Sequence, residues 1–204
     1  MPVLKRVVGS NPTLSVLSFT YDILLLIMFT DPEKNLDQFD LQKGMRVADF
    51  GAGSGFYALT AAKLVGDKGK VLAVDIQKDL LVRLKKEAAT KKILNIEIVW
   101  GDLEKEGGAK LADNSVDRVI VSNLLFQIEK RECLAREAAR ILKPNGKILA
   151  IDWTDSFGGL GPQEKDIFGK EKAQTLFETV GFSLERTIDA GAHHYGLIFS
   201  KKKK

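Results

Sequence analysis

Short apolar runs alternate with longer amphipathic stretches along the chain from residue 44 onward. The apolar runs are rich in β-branched residues and are bounded by turn residues, so they predict seven strands. These strands span Arg46–Phe50, Lys70–Ile76, Ile96–Trp100, Asp117–Ser122, Lys147–Trp153, Ser183–Asp189 and Tyr195–Ser200. Helical periodicity predicts the intervening helices at Phe56–Val65, Lys78–Lys91, Leu103–Lys110, Glu129–Leu142 and Lys170–Val180.

This alternation predicts an α/β fold, a doubly wound and mostly parallel seven-stranded sheet with helices on both faces. The last two strands differ because only Ala190–His194 separates them. A connection this short cannot cross over a sheet, so these strands must form an antiparallel hairpin, with the last strand alone reversed. We expect the sheet domain to span residues 39–200, between an N-terminal helical segment, residues 1–38, and a lysine tail, residues 201–204.

The N-terminal segment contains a different pattern, the nearly continuous apolar run TLSVLSFTYDILLLIMFT at residues 13–30. This composition predicts one helix, which Pro32 would end. Asp22 disfavours a membrane span, because a carboxylate near the middle of a span costs about 2.5–3.5 kcal/mol. Lys5 and Arg6 would also retain the N-terminus in the cytosol and place the domain outside. We predict a helix packed against the domain, with peripheral membrane contact and a span as the alternatives.

Charge and cysteine content exclude several classes of protein. The formal net charge is +4, but residues 201–204 are all lysine, so the rest of the chain is close to neutral. A basic surface for nucleic acid is therefore not predicted. Cys133 is the single cysteine, which excludes a disulfide framework and a cysteine-built zinc site and fits a cytoplasmic protein. No metal site is expected.

The stretch VADFGAGSGF, residues 47–56, joins the first strand to the helix after it through a glycine-rich turn. Gly51, Gly53 and Gly55 permit a sharp turn and expose backbone amides at the start of that helix, where a ligand can come close to the backbone. The dinucleotide fingerprint requires its third glycine at Phe56, so a nicotinamide enzyme is disfavoured. A tight turn without any ligand is the other alternative.

Three aspartates, Asp49, Asp75 and Asp102, lie at or just after the ends of the first three strands. A carboxylate at Asp75 can accept hydrogen bonds from both hydroxyls of a ribose, and Asp102 can accept one from an adenine amino group. Asp49 precedes the glycines and can meet a cationic amino group. Each aspartate alone could be a helix cap or a solvated strand end. Because parallel strands end at one edge of the sheet, the three together predict a ligand site there.

With these motifs the chain resembles the class I methyltransferases, which use S-adenosylmethionine. VADFGAGSG is similar to the first motif of that family, VLAVDI to its acidic second-strand motif and WGDLE to its adenine-contacting third motif. VDRVIVSNLLFQI resembles the fourth-strand motif, and ARILKPNGKILAIDW resembles the helix, turn and fifth strand. The resemblance covers about residues 40–204 in the right order and implies S-adenosylmethionine as the cofactor.

The resemblance also implies a role for each matched position. The methionine portion of the cofactor would contact the first-strand aspartate and the glycine turn, namely Asp49, Gly51, Ala52, Gly53 and Gly55. The ribose would bind Asp75, and the adenine would contact Ile76, Asp102 and Leu103. The sulfonium would lie beside Asn123 and Leu124.

Methyl transfer requires an in-line nucleophile, and it requires a base only if the nucleophile carries a proton. The loop AGAHH returns to the edge of the ligand site, and it carries His193 and His194, the only histidines. Imidazole is well suited to take up a proton near neutral pH. Asp152, at the end of the fifth strand, and Asn123 complete the catalytic candidates. The alternatives are loop histidines that only cap a hairpin and a strand-end carboxylate beside a core indole.

The predicted acceptor is a small apolar or aromatic molecule, because an apolar N-terminal helix would cover the site. Tyr21-Asp22 followed by ILLLIM resembles the N-terminal helix of quinone- and sterol-type methyltransferases. Methyltransferases that act on arsenic depend on several cysteines, whereas this chain has only Cys133, so that acceptor is disfavoured. The alternatives are a protein or ribosomal RNA acceptor, supported only by the terminal lysines, and a non-catalytic regulator that binds S-adenosylmethionine. The sequence does not specify an oligomeric state.

Overall fold

Seven strands and five α-helices form the described part of the chain, which is residues 30–157 and 161–202 of a computed structural model. The strands are β1 (Arg46–Phe50), β2 (Lys70–Asp75), β3 (Ile96–Trp100), β4 (Val116–Ser122), β5 (Leu142–Trp153), β6 (Phe182–Asp189) and β7 (His194–Lys201). The helices are α1 (Pro32–Asp37), α2 (Phe56–Val65), α3 (Lys78–Thr90), α4 (Arg131–Ile141) and α5 (Lys170–Thr179), with a 3-10 turn at Glu164–Asp166.

The strands form one sheet in the order β3-β2-β1-β4-β5-β7-β6. Strands β1 to β5 pair in parallel, whereas β7 is antiparallel to both of its neighbours, β5 and β6. The predicted mostly parallel sheet with a reversed last strand is therefore confirmed. The strand order reverses between β1 and β4, and ligands bind such sheets in the crevice beyond the carboxyl ends at this point.

Apolar side chains fill two cores, one on each face of the sheet. Phe50 of β1 enters the core formed with α4 and α5, whereas Val47 enters the core formed with α2 and α3. Burial of one large apolar side chain, such as the fully enclosed Phe50, stabilises the fold by about 2 kcal/mol. Side chains alternate along a strand, so Asp49 shares the face of Val47 and points toward α2.

The helix predicted at Leu103–Lys110 does not form, and a series of turns occupies this segment, so that prediction is wrong. Gly107 has a φ of +68°, in the left-handed region that interrupts a helix. The buried Glu137 of α4 accepts hydrogen bonds from the N–H groups of Gly107 and Ala109, at 2.9 and 3.0 Å. A partner distant in sequence therefore replaces the hydrogen bonds that a helix would have made.

The helix predicted over residues 13–30 lies almost wholly outside the described residues. Pro32, which we expected to end that helix, is the first residue of α1, and the end of the earlier helix stays a prediction. The Asp31 carboxylate caps α1 by accepting hydrogen bonds from the N–H groups of Glu33 and Lys34, at 3.0 and 3.2 Å. Asp31 and Pro32 therefore define the start of α1, because aspartate suits the N-cap and proline the first helical position. In the described ranges, no helix is long and apolar enough to cross a membrane.

Candidate functional site

The residues predicted to form the site lie along the carboxyl edge of the sheet. They are Asp49 on β1, Asp75 on β2, Asp102 after β3, Asn123 after β4, Asp152 on β5, His193 just before β7 and His194 at its start. We call the ends of β1, β2 and β3 with the turn at residues 51–55 the glycine half, and the ends of β4 and β5 with the start of β7 the histidine half.

The three glycines of the turn have positive φ values but different surroundings. A Cβ on Gly55 would lie 2.2 Å from Cδ1 of Leu84, and one on Gly51 would lie 2.7 Å from Cδ1 of Leu124. These two glycines therefore allow close packing within the protein. A Cβ on Gly53 would meet no heavy atom closer than 3.8 Å, so this position leaves space for a ligand beside the turn.

Asp75 holds the glycine turn through its side chain. Its Oδ2 accepts a hydrogen bond from the Gly53 N–H at 2.8 Å, and its Oδ1 accepts one from the Gln77 N–H at 2.8 Å. The next residue, Ile76, is 57% exposed, and the Trp100 indole N–H donates to its carbonyl oxygen at 3.1 Å. The two side chains offer the exposed apolar surface that an adenine ring requires.

Asp102 and Leu103 follow β3 on the same half. The Asp102 carboxylate pairs with the Lys105 ammonium at 3.0 Å and accepts a hydrogen bond from the Glu104 N–H at 3.1 Å. The hydrogen bond from Lys105 is the main reason that the pKa of Asp102 lies below its ordinary value. Leu103 is buried in the core, so its side chain supports the turn from within.

Asp49 is the least satisfied polar group of the glycine half. Its carboxylate is 2% exposed and accepts a hydrogen bond from the Ala58 N–H in the first turn of α2. The other oxygen, Oδ2, is buried and has no hydrogen-bond partner. Burial, followed by repulsion from Asp75, raises the pKa of Asp49 to about 7. A cationic amino group fits this carboxylate, as the methionine end of S-adenosylmethionine would require.

A buried tyrosine beside Asp49 was missed by the sequence analysis. The Tyr57 hydroxyl accepts a hydrogen bond from Nδ2 of Asn35 in α1 at 2.9 Å. Burial raises the pKa of Tyr57, and the polar side chains of Asn35, Thr30 and Ser122 near its hydroxyl oppose that rise. Tyr57 directly follows the glycine motif in the sequence, which is a usable signal, whereas nothing local to Asn35 marks it.

Asn123 links the two halves at the end of β4. Its φ of +52° turns the chain out of the strand, and its N–H donates to the Ile151 carbonyl oxygen at 2.9 Å. Its side-chain Oδ1 lies 3.0 Å from Nε2 of His194. The next residue, Leu124, contacts Gly51 in the glycine turn. Asn123 is therefore adjacent to both halves, as its predicted position beside the sulfonium requires.

His194 is the first residue of β7 and is only 8% exposed. Its ring packs on Trp153 with the ring centroids 4.3 Å apart and the planes at 42°. Its second nitrogen, Nδ1, lies 3.2 Å from the Ala192 carbonyl oxygen. Burial lowers the pKa of His194, so the ring is neutral at physiological pH. His194 is thus placed to hold the Asn123 amide.

His193 belongs to the loop and has a φ of +65°. Its Nδ1 lies 2.6 Å from Oδ1 of Asp155, and its ring stacks on Phe157 with the centroids 4.3 Å apart. A cavity of about 280 Å³ adjoins this pair and is lined by Thr154, Asp155, Ser156, Glu164 and Ile167. The tilted pair Trp153–His194 and the stacked pair Phe157–His193 together form what we call the ring wall.

Asp152 is fully enclosed at the end of β5. Its carboxylate accepts hydrogen bonds from the N–H groups of Leu125 and Trp153, each at 2.8 Å, and also from those of Leu124 and Phe126. Burial nevertheless dominates and raises the pKa of Asp152 to about 7. The carboxylate therefore holds the loop that follows β4, and its predicted contact with an acceptor stays a prediction.

The family model of the methyltransferase domain matches residues 41–181, which include the glycine turn, all three strand-end aspartates and Asn123. The chain belongs to this family. The predicted family, the fold, the class I enzyme type and S-adenosylmethionine as the cofactor are thereby confirmed, together with the likeness to solved structures described next.

The crystal structure of a SAM-dependent methyltransferase from Aquifex aeolicus is similar to this chain, with a TM-score of 0.82 and 26% identity over 95% of this chain and 100% of that one. A demethylmenaquinone methyltransferase from Listeria welshimeri is 25% identical over 80% of this chain and 81% of its own. An arsenite methyltransferase from Aquipseudomonas alcaligenes is 36% identical over 117 residues, 55% of this chain. The chain spans only about a third of the length of that arsenite enzyme.

Proposed function

We propose that this chain transfers the methyl group of S-adenosylmethionine to a small apolar or aromatic acceptor. The observation that carries the proposal is the meeting of the two halves after β4. Leu124 contacts Gly51 in the glycine half, and Asn123 lies 3.0 Å from His194 in the ring wall. A ligand on the glycine turn and a second ligand against the ring wall would therefore be neighbours, as an in-line displacement requires.

In this proposal the glycine half holds the cofactor, which supplies a methyl group already activated on a sulfonium. Asp49 and the turn around Gly53 receive its methionine portion. Asp49 carries a buried oxygen without a hydrogen-bond partner, and the turn leaves space for a ligand at Gly53. Asp75 binds the ribose, and Ile76 and Trp100 cover the adenine. Asp102 and Leu103 bound the adenine site from the segment after β3.

On the histidine half, His193 is the proposed base for an acceptor that carries a proton. The Asp155 carboxylate, 2.6 Å from Nδ1, favours the tautomer with hydrogen on Nδ1 and makes Nε2 the basic nitrogen. A hydroxyl near Nε2 could give up its proton as its oxygen is methylated. Asp152, Asn123 and His194 act in this proposal as positioning residues, because each is occupied by contacts within the protein.

The aromatic and apolar acceptor class is supported by the ring wall and by the relatives named for demethylmenaquinone. The relative named for arsenite favours a different acceptor. Arsenic(III) is soft and prefers thiolate ligands, whereas this chain has only Cys133, on α4, where the Arg136 guanidinium lies 3.4 Å from its Sγ. The single cysteine therefore argues against arsenite as the substrate of this chain.

The proposed role of residues 1–38 is a lid over the site. The protein is proposed to be cytoplasmic, and any membrane contact of the lid is proposed to be peripheral. The support is the way in which α1 attaches beside the site. Lys34 forms an ion pair with Asp189 at the end of β6, and Gln38 Nε2 donates to the carbonyl oxygen of Asp189 at 3.1 Å. Helix α1 therefore lies next to the loop that carries His193.

The experiment that tests the function is transfer of a labelled methyl group from S-adenosylmethionine. The acceptors are a hydroquinone with a short isoprenoid tail, arsenite, and the lipid, small-molecule, RNA and protein fractions of a cell extract. We expect label in the hydroquinone or the apolar fractions and none on arsenite. Label in RNA or protein alone would contradict the small-molecule acceptor. Binding of the cofactor without transfer to any fraction would favour a non-catalytic regulator.

A further inference from the structure

Exposed apolar side chains are concentrated on one flank of the molecule. Among the described residues, five large apolar side chains are about half exposed or more, and four of them lie between residues 76 and 100. Single exposed apolar residues are ordinary, whereas a group of them on one flank indicates a contact surface. We call α3, the edge strand β3 and the turns next to them, residues 76–100, the α3–β3 flank. Its exposed apolar residues are Ile76, Val82, Leu94 and Trp100.

Side-chain contacts join the two elements at one end of the flank. The Lys78 ammonium lies 3.8 Å from the centroid of the Trp100 ring, and the Lys110 ammonium lies 4.6 Å from it. The indole N–H of Trp100 donates to the Ile76 carbonyl oxygen at 3.1 Å. Val82 lies one helical turn after Lys78 on the same side of α3, so it extends this exposed surface along the helix.

The other end of the flank has the same combination of an apolar side chain and basic neighbours. Leu94, in the turn between α3 and β3, is 90% exposed and follows Lys91 and Lys92. A strand rises about 3.3 Å per residue, so Leu94 lies roughly 20 Å from Trp100 at the opposite end of β3. The flank is therefore long enough for a contact that involves several of its side chains at once.

The positive charge of the flank distinguishes it from the rest of the chain. Residues 76–100 contain six basic and three acidic side chains, whereas acidic residues outnumber basic ones outside this segment and the lysine tail. One of the three acids, Glu87, is already paired with Lys91 at 2.6 Å. Two such flanks would repel each other, so a second copy of the chain is disfavoured as the partner and an anionic surface is favoured.

The apolar residues of the flank specify which anionic surface fits. Val82 and Leu94 are aliphatic, and they gain free energy by entering hydrocarbon, which nucleic acid does not offer. Tryptophan and lysine each combine an apolar body with a polar end, so both suit the boundary between hydrocarbon and water. Basic residues beside a bilayer are attracted by anionic headgroups. The combination therefore matches a bilayer that contains anionic lipid.

We propose that the α3–β3 flank docks the protein on a membrane surface that contains anionic lipid, with Val82, Leu94 and Trp100 at the depth of the headgroups. This surface consists of other residues than the apolar run at residues 13–30, and the inference does not rest on the proposed methyl transfer. The flank ends at Trp100, beside the proposed adenine site. Docking would therefore hold the carboxyl edge of the sheet close to the bilayer, where an apolar acceptor dissolves.

The test uses the full chain and vesicles of phosphatidylcholine, either pure or in an equal mixture with phosphatidylglycerol. Co-sedimentation is expected to show binding to the mixed vesicles and at least about tenfold weaker binding to the neutral ones. Lys85→Gln combined with Lys86→Gln removes two charges from α3 and is expected to weaken binding about tenfold to thirtyfold. The matched control is Lys165→Gln combined with Lys172→Gln, two exposed lysines on or near α5, which should leave binding within about twofold.

Tryptophan fluorescence tests the apolar part of the contact. The chain has two tryptophans, and Trp100 is 50% exposed whereas Trp153 is 6% exposed. Lipid brominated on its acyl chains should quench the emission when the protein binds, and Trp100→Phe, which leaves Trp153, should remove most of this quenching. Leu94→Ser, at a side chain outside the core, should weaken vesicle binding about fivefold.

Equal vesicle binding by wild type and the variant with glutamine at residues 85 and 86 would overturn the inference, because the lysine tail would then supply the attraction. Quenching that persists in Trp100→Phe would overturn it too, since the lipid would contact another surface. Binding to RNA but not to vesicles, or a dimer that buries Trp100 and binds no vesicles, would replace the bilayer with a different partner. Vesicle binding is measured without cofactor or acceptor, so its outcome does not depend on whether methyl transfer is found.

Discussion

The two halves of the carboxyl edge differ in how far their polar groups are hydrogen-bonded within the protein. In the glycine half, Asp49 Oδ2 is buried without a partner, and so is Asn35 Oδ1 on the separate helix α1. In the histidine half, Asp152 is bound by backbone N–H groups, His194 by Asn123, and His193 by Asp155. The glycine half is therefore complete only with a polar ligand present. Apart from the buried Ser122 Oγ at the end of β4, the histidine half satisfies these polar groups itself, so it can select an acceptor through shape and aromatic contact.

The same difference is seen between two buried aspartates, Asp49 in the glycine half and Asp152 in the histidine half. Burial raises the pKa of both Asp49 and Asp152 to about 7. Asp152 accepts hydrogen bonds from several N–H groups of the loop after β4, whereas only the Ala58 N–H reaches Asp49. A raised pKa alone does not distinguish a ligand-binding carboxylate from a structural one. The number of unpaired oxygen atoms does distinguish them.

The largest expected effect is the loss of stability when the Asp152 carboxylate is removed. Asp152→Ala leaves the buried N–H groups of Leu125 and Trp153 unsatisfied, so we expect the free energy of unfolding to fall by about 3 kcal/mol. Chemical denaturation monitored by circular dichroism measures this change. Asp155→Ala, at an exposed carboxylate, is the control and should change stability by less than about 0.5 kcal/mol. Similar stability of the two variants would contradict the structural role of Asp152.

The second largest expected effect is a loss of affinity for S-adenosylhomocysteine when Asp75, in the glycine half, is replaced. Asp75→Ala removes the acceptor that holds the Gly53 N–H and the predicted ribose contact, so we expect S-adenosylhomocysteine to bind about 2–3 kcal/mol more weakly. Calorimetric titration measures the change, and Asp79→Ala, at an exposed carboxylate four residues further on in α3, is the matched control. An unchanged affinity would remove Asp75 from the cofactor site.

The smallest effect is the pH dependence of stability. Because the pKa of Asp49 is raised in the folded protein, the folded state binds more protons than the unfolded state between about pH 4 and pH 7. The free energy of unfolding should therefore fall as the pH rises through this window. Asp49→Asn should remove the part of that fall due to Asp49, leave the part due to Asp152, and stabilise the ligand-free protein at pH 8 by on the order of 2 kcal/mol.

Denaturation of wild type and Asp49→Asn at several pH values tests this prediction. Asp102→Asn is the control, because the pKa of Asp102 is lowered and its contribution to stability is lost only at more acidic pH. A slope between pH 4 and pH 7 that is the same in wild type and Asp49→Asn would show that Asp49 is not the titrating group.

The fold was predictable where local patterns decide the structure. The predicted spans of β1 and β3, Arg46–Phe50 and Ile96–Trp100, agree with the structure at both ends, because these strands are bounded by turn residues. The segment Leu103–Lys110 was not predictable, because Glu137 accepts its backbone hydrogen bonds from far along the chain. That a helix begins at Pro32 was also not predicted, and the capping contacts of Asp31 establish it.

The features of the site likewise fall into those that local sequence patterns identify and those that depend on contacts between distant parts of the chain. Asp49 and Asp75 could be located because strand ends in a parallel sheet share an edge. The contacts that give these positions their chemistry join residues far apart in the chain, because Asn35 and Tyr57 are 22 positions apart and Asn123 and His194 are 71 positions apart. No periodicity or motif spacing encodes such pairs, so their partners could be found only in the folded structure.

The most direct test of the unpaired carboxylate as the cofactor's partner is the proton count on binding. S-adenosylhomocysteine is titrated into the protein at pH 7 in two buffers of different ionisation enthalpy. If Asp49 receives the ammonium, its pKa must fall on binding, so wild type should release about half a proton per ligand and Asp49→Asn none. Binding without proton release in wild type, or with equal release in the variant, would contradict the account.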